Sequence, residues 1–90
     1  MGLSSAERKR VRGIAQRLEP AVHVGKSGLT DTCLEQIDSA LSRDATIKIR
    51  FVQHDRKSRA ALCTAIELKT GAELCGTVGN TASFFRPKPG

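Results

Sequence analysis

Apolar residues recur along the chain with two alternating periods, one near 3.6 and one of 2, and this alternation predicts three helices and four strands. Ser4 or Ser5 is placed to cap a first helix running to about Leu18, with Val11, Ile14, Ala15 and Leu18 on one stripe. Pro20 closes that helix, and Ala21 to Val24 reads as a short strand. After a loop at Gly25–Gly28, Thr30 caps a second helix to about Arg43 that buries Leu34, Ile37 and Leu41. Thr46 to Gln53 alternates, with Ile47, Ile49 and Phe51 inward and Lys48, Arg50 and Val52 outward. Asp55 caps a third helix through Thr70, built on Leu62, Ala65 and Ile66 and closed by Gly71. Ala72–Val78 and Thr81–Arg86 are strands joined by a two-residue turn at Gly79-Asn80.

The order α-β-α-β-α-β-β defines an α/β fold. Strand-helix-strand crossovers favour parallel pairing and the final hairpin is antiparallel, so a mixed four-stranded sheet packed with helices is expected. With 90 residues the chain supports one hydrophobic core, and the expectation is a single domain over 1–90. Its folded core covers about 3–87, followed by a short proline-containing tail at 87–90.

Charge changes the picture from fold to partner. Fifteen Lys and Arg stand against nine Asp and Glu, a net charge of +6, which creates a potential that attracts polyanions. Arg8, Lys9, Arg10, Arg12 and Arg17 load the first helix, and Lys48 and Arg50 share one strand face. Three cysteines, Cys33, Cys63 and Cys75, fit neither a disulfide framework nor a zinc motif, so each reads as a small buried apolar residue in a reducing compartment, with no metal; the cytoplasm is the expected location, or an organelle lumen if a transit peptide has been removed. Neither a signal peptide nor a membrane span is expected, and Ala6 replaces the Ser or Thr that a myristoylation signal at Met1-Gly2 requires.

The segment Val24-Gly25-Lys26-Ser27-Gly28-Leu29-Thr30 joins a strand end to a helix start. Two glycines let the backbone approach a ligand closely, and Lys26 supplies charge at the tip, an arrangement suited to a phosphate. A nucleotide-triphosphate loop is excluded, since Pro20 stands where that motif needs glycine and no strand ends in a magnesium-binding Asp. A basic Gly-x-x-Gly loop is the device of KH domains, although those place it between two helices.

Several motifs in order carry a wider resemblance: Gly13-Ile14-Ala15 with Leu18-x-Pro20, the Val24–Thr30 segment, Asp55-Arg56, Thr70-Gly71-Ala72, and Val78-Gly79 followed by Phe85-Arg86-Pro87. Over roughly Leu3 to Pro87 the chain resembles the CRM domain family in its stand-alone, YhbY-like form. The resemblance implies a fold similar to the C-terminal domain of translation initiation factor three. It further implies RNA binding in ribosome maturation, on rRNA of precursor large subunits for bacterial members and on introns for plant relatives. The Gly25–Gly28 loop matches the family's RNA-contacting loop, and Arg12 and Arg86 match usually basic positions. The chain departs from the pattern at Asn80, where Lys is common, at Phe85, where Tyr is usual, and at Glu19.

The expected RNA contacts are therefore Gly25, Lys26, Ser27, Gly28, Arg8, Lys9, Arg12, Lys48, Arg50 and Arg86, in a monomer with no cofactor, no small-molecule substrate and no catalytic residue. With only Phe51, Phe84 and Phe85 as aromatics there is little platform for stacking single-stranded bases, so structured RNA held by its backbone is the expected partner. Asp31, in the first turn of the second helix, would repel a phosphate there and shifts the attraction onto the loop. Two other functional classes fit parts of the chain. A ribonuclease would use His23 and His54 as acid and base, but His23 alternates with core valines and His54 lies in a loop beside Asp55. Paired Glu35 and Asp38 read as a solvated helix face. A protein-binding adaptor would use the open sheet edge or the basic helix.

Overall fold

The computed structural model describes residues 3–87; Met1-Gly2 and the tail at 88–90 lie outside the described residues. The elements are α1 (Ser5–Ala15), β1 (Val22–Val24), α2 (Asp31–Arg43), β2 (Thr46–Phe51), α3 (Arg56–Thr70), β3 (Glu73–Val78) and β4 (Thr81–Phe85). The sheet order is β1-β2-β4-β3, with β1 parallel to β2 and the other two pairings antiparallel. The α/β fold with a mixed four-stranded sheet thus follows the order expected from the sequence.

Alternation divides the layers. Val22, Val24, Ile47, Ile49, Phe51, Ala82 and Phe84 point to one face and form the main core with Cys33, Ile37 and Leu41 of α2 and Cys63 and Ile66 of α3. Ser83, between Ala82 and Phe84, points to the opposite face and is buried there. That face is where α1 packs, across β2, β3 and β4, burying Val11 and Ala15. A register shift between Leu74 and Gly76 marks a bulge in β3. Gly76 lies beneath α1 with the Arg12 side chain packed over it, so a Cβ there would push that side chain aside.

Each helix begins on the expected cap. Ser4 and Glu7 form a reciprocal capping box for α1, Thr30 accepts from Cys33 N–H, and Asp55 accepts from Ser58 N–H. Gly71 ends α3 in the left-handed region at φ 75°.

Five boundaries differ from expectation, two of them the starts of β1 and β3, which fall at Val22 and Glu73 in place of Ala21 and Ala72. α1 ends at Ala15, because Arg17 and Leu18 N–H turn to the carbonyls of Ile14 and Ala15 in tight three-residue turns ahead of Pro20. Ile14 and Leu18, expected on the buried stripe, are instead 47% and 38% exposed. β2 stops at Phe51 because Gln53, at φ 62°, swings the chain out of the sheet. β4 stops at Phe85, and Arg86 adds one further backbone bond to Ala45.

Candidate nucleic-acid interface

Because β1 and β2 run parallel, both deliver their C-terminal ends to the same edge of the sheet, and each is followed there by a loop and a helix start. The β3–β4 turn reaches that edge too: Phe51 N–H donates to Asn80 O, and Val52 N–H donates to Val24 O. The crevice beyond the carboxyl ends of parallel strands is a recurrent ligand position in open α/β sheets.

The loop is held there as a rigid turn. Gly28 N–H donates to Gly25 O at 2.9 Å, and Gly28 lies at φ 75°, a conformation that a side chain disfavours. His54 Nε2 sits 2.7 Å from Gly25 O; a carbonyl only accepts, so Nε2 carries the proton and donates. From the other side Arg59 donates to His54 O at 2.9 Å and to Asn80 Oδ1 at 3.1 Å. Gly25, His54, Arg59 and Asn80 thus tie the loop, both parallel strand ends and the hairpin turn into one braced edge. Lys26 and Ser27 project from it, exposed to solvent.

Around the brace stand cations without an ion-pair partner among the described residues: Lys26, Arg50 on β2, and Arg56 and Lys57 in the first turn of α3. Arg50 pairs in register with His23 and Thr81 and faces the side of the sheet on which α1 lies. The first turn of α3 contains no acid, so Arg56 and Lys57 add to the positive end of the helix dipole. Two carboxylates temper the site. Asp31 heads α2, as noted in the sequence, and Asp55 caps α3, its pKa lowered by the hydrogen bond from Ser58 and the neighbouring Arg59 and His54.

The expected contact residues separate into three groups. Gly25, Lys26, Ser27, Gly28 and Arg50 are brought together at the braced edge. Lys9 and Arg12 are exposed on α1, with the Arg12 stem lying over Gly76, and Lys48 reaches Leu18 O at 3.4 Å on the same face. Arg8 and Arg86 are engaged within the fold. Arg8 is committed to Glu73 at 2.8 Å, which lowers the Glu73 pKa together with a bond from Leu3 N–H. Arg86 lies at the opposite end of the sheet, its side chain 21% exposed, donating to Asp38 Oδ1, Asp38 O, Ser42 Oγ and Thr70 O. It fastens β4 to the ends of α2 and α3, and Asp38, taken in the sequence as a solvated acid, is its partner.

Sequence reasoning missed Arg56, Lys57 and Arg59 as members of the edge. The signal was present in two strand-loop-helix units in succession, which place both helix starts side by side once the strands are parallel. The departure at Asn80 also finds a role, since its side chain accepts from Arg59.

Of the two histidines, His23 stands exposed on β1 and His54 holds the loop carbonyl through Nε2. Among the described residues no group of three or more His, Cys, Asp or Glu is arranged to hold a metal ion. Burial raises the thiol pKa values of Cys33, Cys63 and Cys75, that of Cys63 to about 11, which keeps them protonated and unreactive.

A small α/β domain with a cationic, glycine-turned edge is the class that fold and site define. The chain belongs to the CRS1 / YhbY (CRM) domain family, whose model matches residues 3–86. It is 32% identical over 85 residues to a Haemophilus influenzae protein named "RNA-binding protein", covering 94% of this chain and 86% of that one. It is 27% identical over 84 residues to the Bacillus subtilis "Probable RNA-binding protein YqeI", covering 93% and 88% of the two chains. The solution structure of Staphylococcus aureus SAV1595 shares the fold at a TM-score of 0.89 and 22% identity, over 99% of this chain and 93% of that one.

Proposed function

We propose that this protein binds structured RNA through its sugar-phosphate backbone, without catalysis, and that its target is rRNA in precursor large ribosomal subunits, whose maturation it assists in the cytoplasm as a monomer. The observation that carries the reading is the convergence of Lys26, Arg50, Arg56 and Lys57 on one braced edge, beside a loop whose glycines let a phosphate approach the backbone. The relatives named RNA-binding proteins support RNA as the partner. The lack of exposed aromatic platforms supports a folded RNA over a single strand, since Phe51 and Phe84 are core residues.

Crosslinking in cells, followed by sequencing of the attached RNA, tests the target. Enrichment of large-subunit rRNA precursors is the expected result, and enrichment of messenger or transfer RNA alone would contradict it. Nuclease treatment of the same extracts separates RNA binding from an adaptor role: association with ribosomal particles is lost after digestion if RNA mediates it and kept if a protein does.

A further inference from the structure

Beside the braced edge, α3 and the β3–β4 hairpin enclose a recess lined by Arg56, Arg59, Ala60, Cys63, Leu74, Thr77 and Gly79. Its volume is about 280 Å³, just below the roughly 300–1,000 Å³ of pockets that enclose drug-sized ligands, so it suits one ring system. The floor is apolar, made by buried Cys63 and half-buried Leu74. Two arginines, Arg56 and Arg59, line its wall. Arg59 is fixed by its bonds to His54 O and Asn80 Oδ1, and Arg56 is exposed at the first residue of α3.

We propose that this recess receives one unstacked nucleobase, a bulged or looped-out nucleotide of the bound RNA, between the Arg56 and Arg59 side chains. The inference rests on the RNA-binding reading above and adds to it a preference for RNA with an extruded base. Three features argue for it. The guanidinium plane stacks on bases where aromatic residues are scarce, and its donors meet the acceptors on base edges. Arg59 is immobilised before the ligand arrives, so little side-chain entropy is lost on binding. The same residue belongs to the chain of contacts that ends at Gly25, which links a phosphate at the loop to a base in the recess through one rigid unit. The apolar floor and the cationic wall fit a flat, partly apolar ring attached to an anionic chain better than they fit an isolated phosphate.

The test compares an RNA duplex carrying a single bulged nucleotide with the same duplex fully paired and with one whose bulge is abasic, against the wild-type protein and Ala60→Leu. Ala60 is a solvent-exposed helical position, so leucine is compatible with α3 while narrowing the recess. Wild type is expected to bind the bulged duplex about tenfold more tightly than either control, and Ala60→Leu to lose that preference while binding the paired duplex unchanged. Equal affinity of wild type for all three RNAs overturns the inference, as does a preference that survives in Ala60→Leu. Failure to bind any of the duplexes would instead overturn the RNA-binding reading itself. A 2-aminopurine at the bulge supplies a second readout, since its fluorescence must change on binding to wild type and not to Ala60→Leu if the base enters the recess.

Discussion

Lys26 and Arg86 are both cations that the sequence assigned to RNA, and the structure gives them different surroundings. Lys26 touches nothing that the fold needs, whereas Arg86 donates four hydrogen bonds that join three elements. Lys26→Ala is expected to weaken RNA binding roughly fivefold, reduce the salt slope by about 1, and leave the melting temperature unchanged. Arg86→Ala is expected to do the reverse, losing about 1–3 kcal/mol of stability with RNA affinity per folded molecule intact. Denaturant titration beside a binding isotherm distinguishes the two. Sequence could not separate them, because whether a cation is free or clamped depends on what stands opposite it, and Asp38 lies 48 positions away in the chain. Cys63 illustrates the reverse case, where residue type sufficed: buried with its thiol pushed up to about 11, it is expected to resist maleimide at pH 8 until the protein is unfolded.

Elements were legible wherever a cap and a period agreed. Ser4, Thr30, Asp55 and Gly71 were all readable, because caps satisfy backbone groups locally and need no distant partner. The end of α1 was not readable: helical spacing continues through Leu18, and the requirement that the chain reach β1 through Pro20 overrides it. The strand pairing was readable as parallel plus hairpin, but the placing of β4 between β2 and β3 was not, since neither periodicity nor turn type specifies it.

The first turn of α3 carries a conflict between stability and binding. Arg56 and Lys57 sit at the positive end of the helix dipole, so Lys57→Glu is expected to stabilise the fold by about 0.3–1 kcal/mol while weakening RNA binding. A variant that gains stability and affinity together would contradict the assignment of that turn to the interface. Acid sensitivity follows from the other caps and ties. Asp55, Glu7 and Glu73 all have pKa values lowered in the fold by hydrogen bonds. Their stabilisation is present above the unfolded carboxylate values and is lost as pH falls below about 4. Thermal melts should therefore be flat from pH 5 to 7 and fall below pH 4, with a smaller fall in Asp55→Asn.

For the whole molecule, a net charge of +6 announces an anionic partner, and the fold decides how much of it is usable. Arg8, Arg43 and Arg86 are held by Glu73, Asp44 and Asp38, while the braced edge keeps Lys26, Arg50, Arg56 and Lys57 free of ion pairs among the described residues. A second set free of ion pairs among the described residues, Lys9, Arg10, Arg12 and Arg17, lies on α1 and the turn after it, so topology divides the free charge between that face and the end where the parallel strands finish. Four phosphate contacts release counterions with a log–log dependence of affinity on salt of about −3 to −4.

The most direct measurement is this slope for a folded large-subunit rRNA fragment, taken for wild type and for the combined Lys26→Ala, Arg56→Ala and Lys57→Ala variant. The expected result is a slope of about −3 to −4 for wild type that falls to about −1 in the variant, with both proteins equally folded. A flat response in wild type, or the same slope in both proteins, would contradict the claim that this edge holds the RNA backbone.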